Sequence, residues 1–258
     1  MTVIVKKNVP SGTIILSRPE KRNALTRQML TEISQAFTDL HGEKQVRAVI
    51  LTGAGSAFCA GMDLAEMQQT ASQPDAQEQW YRDSLQYREL IEQMLQFPKP
   101  IIAAVNGPAM AGGAGLVLAS DLVVATASAM FGLPEPKRGI VAGIVSPLLA
   151  FRIGGGAATH LLLRANTIEA QQALSRGIYH EIVADDLIWA SSHELAKEIA
   201  QSAPEAIQLT KRMIYENIGE QLLTQLSAGA AMSATARTTE AAAEGLTAFF
   251  EKRNPKWK

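Results

Sequence analysis

Residues 99–121 read KPIIAAVNGPAMAGGAGLVLASD, and the order of features in this stretch decides the fold class. Ile101–Val105 is a short apolar run between Pro100 and the turn Asn106-Gly107-Pro108, the pattern of a buried strand. Ala111–Gly115 is a glycine-rich turn leading into a short apolar helix, and Leu122–Ala125 returns as a second strand. Strand, glycine turn, helix and strand in succession predict α/β layering. Residues 114–127 are almost wholly apolar, but Asp121 interrupts them, so a buried core element is expected rather than a membrane span.

The same alternation extends toward the N-terminus. Thr13–Leu16 and Arg47–Leu51 read as strands. Thr26 is a natural N-cap for a helix reaching about His41, with Met29, Leu30, Ile33 and Phe37 at helical spacing. Residues 54–63 are small and turn-like, and residues 68–78 are polar, contain Pro74 and suggest a mobile surface segment. Tyr81–Gln96 is expected to be helical, stopped by Pro98. Toward the C-terminus, Phe131–Gly139 (FGLPEPKRG) reads as a proline-interrupted loop, with short helices over Ala157–Leu163 and Thr167–Leu174. After about residue 187 only helical patterns remain: Leu187–Ala200, Pro204 to about Asn217, a stretch after Gly219, and Thr239–Glu251. The expected organisation is an α/β core over residues 1–190 and a helical region over residues 191–258.

Composition narrows the function classes. The chain has 258 residues, 47% hydrophobic and 19% charged, as an ordered globule has. With 24 Lys+Arg against 25 Asp+Glu the net charge is −1, which offers no footprint for nucleic acid. One cysteine, Cys59, excludes an intramolecular disulfide, and the four histidines have no metal-ligand spacing, so no metal is expected. The opening MTVIVKKNVPSG lacks the apolar core of a signal peptide. With no membrane-spanning run either, a soluble cytoplasmic protein is expected.

Three segments can carry chemistry. Ala111–Gly115 would expose backbone N–H groups at the positive end of a helix, where an anion or oxyanion can bind; close packing of a helix on a sheet would use the same glycines. The run fits neither the dinucleotide nor the P-loop pattern. Phe58–Leu64 (FCAGMDL) is a second glycine turn able to supply another backbone donor. Cys59 sits there among small and apolar residues and reads as packed rather than catalytic. Glu135 stands in Leu133-Pro134-Glu135-Pro136, where it is either a solvated loop residue or a carboxylate held against an apolar wall with a raised pKa. Lys137-Arg138 is a solvated pair or a phosphate contact, and His41, His160, His180 and His193 form no constellation.

Five stretches together resemble the crotonase superfamily, the enoyl-CoA hydratase/isomerase family. They are Arg18–Leu25 (RPEKRNAL), Gly53–Leu64 (GAGSAFCAGMDL), Lys99–Asp121, Phe131–Val141 (FGLPEPKRGIV) and Glu244–Lys258 (EGLTAFFEKRNPKWK), in family order over essentially the whole chain. The resemblance implies a spiral of ββα units with a helical C-terminal region that builds a homotrimer or a dimer of trimers. It implies an acyl-CoA thioester as substrate, with coenzyme A as part of that substrate and no separate cofactor. The thioester oxygen would sit between the backbone N–H groups of Met62 and Gly112. Ala60, Asp63 and Leu64 would lie along the CoA adenine, while Arg22, Phe250 and Lys252 would approach the nucleotide or its phosphates.

The resemblance also identifies a departure. Typical hydratases carry two glutamates; the first position is Gly115 here and the second is Glu135. Hydration needs water oriented and deprotonated while C2 is protonated, work that two carboxylates share. A shift of a double bond from C3–C4 to C2–C3 needs one base. The expected reaction is therefore 3-enoyl-CoA to 2-enoyl-CoA isomerisation by Glu135. The alternatives are enoyl-CoA hydration, with another group or a water in place of the missing carboxylate, and a non-catalytic CoA-ester-binding protein. Dienoyl-CoA isomerases and chlorobenzoyl-CoA dehalogenases use an aspartate where this chain has Gly143. Naphthoyl-CoA synthases usually lack a carboxylate at the Glu135 position, so all three branches fit poorly.

Overall fold

A computed structural model describes residues 1–257; Lys258, the last residue of the C-terminal stretch quoted above, lies outside the described residues. β1 (Val3–Asn8) and β2 (Ser11–Leu16) form an antiparallel hairpin. α1 (Arg27–Gly42) follows, its first turn capped by the Thr26 hydroxyl, which accepts from Met29 N–H. Its buried stripe is Met29, Leu30, Ile33, Ala36, Phe37 and Leu40, as the spacing predicts. β3 (Ala48–Gly53) returns parallel to β2. Then come α2 (Leu64–Ala71), α3 (Ala76–Gln96) and β4 (Ile101–Val105), every residue of β4 being buried. β5 (Ala109–Met110), α4 (Gly112–Ala119), β6 (Leu122–Thr126) and β7 (Met130–Gly132) complete the part read from residues 99–121.

The remaining elements are α5 (Val145–Ile153), α6 (Gly155–Arg164), β8 (Thr167–Glu169), α7 (Ala170–Ser175), β9 (Glu181–Val183), α8 (Ile188–Ala200), α9 (Pro204–Arg212), α10 (Glu220–Ala236) and α11 (Glu240–Phe250). The strands make one sheet in the order β1-β2-β3-β4-β6-β9 and a small second sheet in the order β5-β7-β8. Apart from the β1–β2 hairpin, all pairs in the larger sheet are parallel. A parallel sheet must be covered on both faces. One face carries the main core with Phe37, Leu51, Ile91 and Val105; the other is sealed by α8, whose Ala196 packs with Ile50, Ile102 and Val124. The expected boundary at residues 190–191 therefore falls inside a helix that belongs to the sheet's cover.

Several elements differ from expectation, each for a local reason. β1 is an edge strand buried only at Val3, so it has no alternation to detect. β7 and β9 have three residues each, too few for a period to register. Thr167–Leu174 is not one helix: Thr167–Glu169 pairs with β7, and Glu169 then caps α7 reciprocally with Gln172. Residues 68–78, expected as a mobile surface segment, fall mostly in helices, because α2 runs to Ala71 and α3 begins at Ala76.

Asp121, the charge inside the apolar stretch, is satisfied by burial of a partner. Its Oδ2 accepts from Lys211 Nζ at 2.8 Å and from Ile101 N–H at 2.7 Å, tying α9 to the junction of β4 and β6. Among the described residues no helix is long and apolar enough to cross a membrane.

Candidate active site

The two glycine turns lie against each other. Gly61 has φ +91°, and a Cβ there would meet the Ala111 Cβ at 2.7 Å and the Met110 carbonyl oxygen at 3.0 Å. Ala111 itself has φ 51° and ψ −122°, a conformation an L-residue adopts only when its surroundings impose it. The surroundings are hydrogen bonds on both sides: Ala111 N–H donates to Gly132 O, and Gly115 N–H to Ala111 O. On the facing turn, Leu25 N–H donates to Gly61 O and Asp63 N–H to Leu25 O. Between them, the N–H groups of Met62 and Gly112 have no acceptor among the described residues, and both residues line one cleft of about 480 Å³. Gly112 is the first residue of α4, so its N–H also carries the helix's positive end. Two free amides converging on one cleft can hold an oxygen that gains negative charge.

The facing turn is fixed by Asn23. This residue is fully buried with φ 53°, and its side-chain amide donates to Ala54 O, Ala57 O and Phe58 O at 2.9, 2.8 and 3.2 Å. The Asn23 carbonyl accepts the Cys59 thiol at 3.1 Å. Burial pushes the Cys59 pKa up to about 12, which leaves an unreactive thiol, in keeping with the packed role read from its neighbours.

Glu135 opens a 3-10 turn, Glu135–Arg138, that the flanking prolines restrict. It is 6% exposed, lines the cleft, and its Oε2 has no hydrogen-bond partner. Loss of water raises its pKa to about 7, so it exchanges protons near neutrality. α11 braces the turn from outside: a Cβ at Gly139 would meet Ala241 O at 2.1 Å, and one at Gly245 would meet Arg138 O at 2.2 Å.

Gly115 is buried and does not itself line the cleft. The space its side chain would enter holds Tyr87 of α3, whose Oη lies 2.0 Å from the Cβ position. That hydroxyl donates to Gly112 O at 2.6 Å, and burial raises its pKa well above the ordinary tyrosine value, so it is a neutral donor. No motif announced Tyr87; it reads as one more apolar position on α3, and only the packing of α3 on α4 brings it here.

The remaining predicted residues divide. Arg22, Ala60, Asp63, Leu64 and Phe250 line the cleft with Met62, Gly112 and Glu135; Lys252, which follows α11 at φ 53°, does not. Asp63 is committed locally, accepting from Ala65 and Glu66 N–H to cap α2 and from Arg18 Nη1 at 3.0 Å. Lys137 turns away to Asn166, while Arg138 lines the cleft and stacks over Phe249 at 4.6 Å. Among the described residues no cluster of three or more histidine, cysteine or acidic side chains is placed to hold a metal.

A sequence family described as enoyl-CoA hydratase/isomerase matches residues 8–258. The chain belongs to the enoyl-CoA hydratase/isomerase family. A provisionally named enoyl-CoA hydratase of Thermus thermophilus is 41% identical over 95% of this chain and 96% of its own. The 1,2-epoxyphenylacetyl-CoA isomerase of Escherichia coli is 32% identical over 100% and 99%. The crystal structure of an enoyl-CoA hydratase/isomerase from Pseudoalteromonas atlantica superposes with a TM-score of 0.87 at 30% identity, covering 100% of both chains. This likeness bears out the α/β class and the crotonase-type fold, and it makes the chain an enzyme of this family.

Two outcomes follow from the geometry. G61A introduces a side chain at positive φ against Ala111, so it should separate the two amides and lower kcat by about 10²–10³-fold in a steady-state assay on an enoyl-CoA substrate. The second concerns stability. The Glu135 pKa is raised from 4.5 to about 7, so its burial costs nothing below pH 4.5, progressively more as pH rises, and its full amount above pH 7. E135Q should therefore match wild type in urea unfolding at pH 4.5 and exceed it by about 1–3 kcal/mol at pH 8; a constant difference across that range would contradict a buried, raised carboxyl.

Proposed function

We propose that the protein isomerises 3-enoyl-CoA thioesters to 2-enoyl-CoA thioesters with Glu135 as the proton carrier. The observation that carries this reading is the neutral phenol of Tyr87 standing where a side chain from position 115 would begin. A neutral donor already committed to Gly112 O cannot deprotonate water, and of the carboxyls that line the cleft, Glu20, Asp63 and Glu135, only Glu135 is buried. In the proposed sequence ionised Glu135 removes a proton from C2, the electrons move onto the thioester oxygen, and the N–H groups of Met62 and Gly112 stabilise the enolate. The oxygen's electron pair then reforms the carbonyl, the C1–C2 π pair moves to C2–C3, and the C3–C4 π pair takes the same proton from Glu135 at C4. No solvent oxygen enters. A pKa near 7 suits a group that must first accept and then return the proton.

A second reading is enoyl-CoA hydration, which the names of relatives favour, among them the short-chain-enoyl-CoA hydratase of Clostridium acetobutylicum at 32% identity. The two are separated by offering a 3-enoyl-CoA and a 2-enoyl-CoA in turn and identifying products chromatographically. Isomer from the first with no 3-hydroxyacyl-CoA from the second is expected; rapid hydration of the second would overturn the proposal. The Tyr87 argument has its own control. G115E alone should fold poorly because its Cβ meets the phenol, whereas Y87A/G115E has room for the carboxylate and should gain hydration of 2-enoyl-CoA. Equal stability of G115E and wild type would remove the basis of the argument.

We also propose assembly as a homotrimer or a dimer of trimers. Support comes from large apolar side chains left exposed along the helices, including Leu163, Leu209 and Met232 at 79%, 61% and 63%. Sedimentation velocity should give a trimer or hexamer; a monomer at micromolar concentration would refute this.

A further inference from the structure

α10 reaches the cleft because it carries no side chain at Gly229. A Cβ there would meet Gly143 O at 2.2 Å, so the helix backbone rests directly on the start of α5. Residues at i+4 and i+8 from Gly229 share its face, and these are Ser233 and Arg237, both of which line the cleft. Neither side chain has a hydrogen bond or ion pair within the chain among the described residues.

Asp83 acts on Arg237 through its charge but makes no hydrogen bond to it. Asp83 receives Arg27 in bidentate fashion, Nε at 2.6 Å and Nη2 at 2.8 Å, and also Gln79 at 2.7 Å. Arg237 thus feels the charges of this cluster, in which Glu66 also accepts from Arg27 N–H at 3.1 Å, but its guanidinium has no acceptor of its own among the described residues. A half-buried guanidinium that lines the cleft without an acceptor is available to an anion that enters there. By contrast, Arg138, one of the two other arginines lining the cleft, has the Phe249 ring.

Position argues against a nucleotide phosphate as that anion. Asp63 and Leu64 stand at the start of α2, whereas Thr70 at its other end accepts Arg27 Nη2 at 2.6 Å and so belongs to the Asp83 cluster. The eight residues of α2 span about 12 Å. Asp83 and Ser84 precede Tyr87 by about one turn of α3, and Arg237 feels the charges of Asp83 and Arg27, which puts it toward the end of the cleft away from Asp63 and Leu64.

We infer that Ser233 and Arg237 form a carboxylate-binding end to the acyl pocket, so that the favoured substrate is the CoA thioester of an unsaturated dicarboxylic acid. This rests on reading the cleft as an acyl-CoA site, but not on which reaction occurs there.

The test uses saturated esters, whose binding is independent of turnover. Glutaryl-CoA and adipyl-CoA are compared with valeryl-CoA and hexanoyl-CoA by calorimetric titration on the wild type, R237M and R237K. A charge-assisted pair predicts that at least one ω-carboxy ester binds wild type about tenfold or more tighter than its methyl-terminated counterpart. R237M should bring that ratio to about one, and R237K should retain part of it. Thermal melts confirm that the variants are folded. A wild-type ratio at or below one, or a ratio that survives R237M, overturns the inference. So does an equal loss for all four esters in R237M, which would make Arg237 a CoA-phosphate contact. If no ester binds the wild type at all, the acyl-CoA reading itself fails, and this inference with it.

Discussion

Everything at the centre of this molecule depends on two backbone turns touching. Gly61 and Ala111 approach so closely that a side chain at Gly61 would collide with the Ala111 Cβ, and the contact sets the Met62 and Gly112 amides side by side on one cleft. Neither turn would hold this shape alone. Asn23 pins the loop ahead of the first with three carbonyl contacts, and Gly132, from the strand ahead of Glu135, takes the Ala111 amide of the second. The strained Ala111 is tolerated because its neighbours on both sides are fixed.

Dehydration does the rest, with different results for different groups. It lifts Glu135 to where it can exchange a proton near neutrality, yet makes Tyr87 and Cys59 inert by moving them away from that range. Lys211 shows the compensated case, a buried cation whose carboxylate partner also holds the β4 amide. Arg237 has no such bonded partner among the described residues. Loss of water thus leaves a carboxyl that titrates near neutrality, a neutral phenol and a guanidinium without an acceptor of its own, according to what each group meets.

The parts of the fold that were legible were those with a long period or a strong punctuation mark. α1, from its Thr26 cap onward, and the strand–glycine–helix–strand order of residues 99–121 could be read because many residues repeat one message. β1, β7 and β9 could not: an exposed edge strand has no buried alternation, and three residues have no period. Within the site, Gly61, Gly112 and Glu135 sit in motifs and were legible. Tyr87, Ser233 and Arg237 sit on helices where sequence gives their face but not what that face meets. Their placement follows from how α3 and α10 pack, which is a long-range property. Asn23 left a trace in the RPEKRNAL stretch, but its left-handed backbone and triple contact emerge only in three dimensions.

The brace that α11 applies to the Glu135 turn joins residues far apart in synthesis. A ribosome makes both glycine turns and the carboxylate well before Glu240–Phe250, and the N-terminal part of a chain begins to fold while the rest is still being made. In that interval the turn bearing Glu135 lacks the helix whose carbonyl at Ala241 closes against Gly139. A nascent chain can therefore carry both glycine turns and Glu135 while the Glu135 turn still lacks its brace, so the final setting of that turn arrives late, with the closing helix.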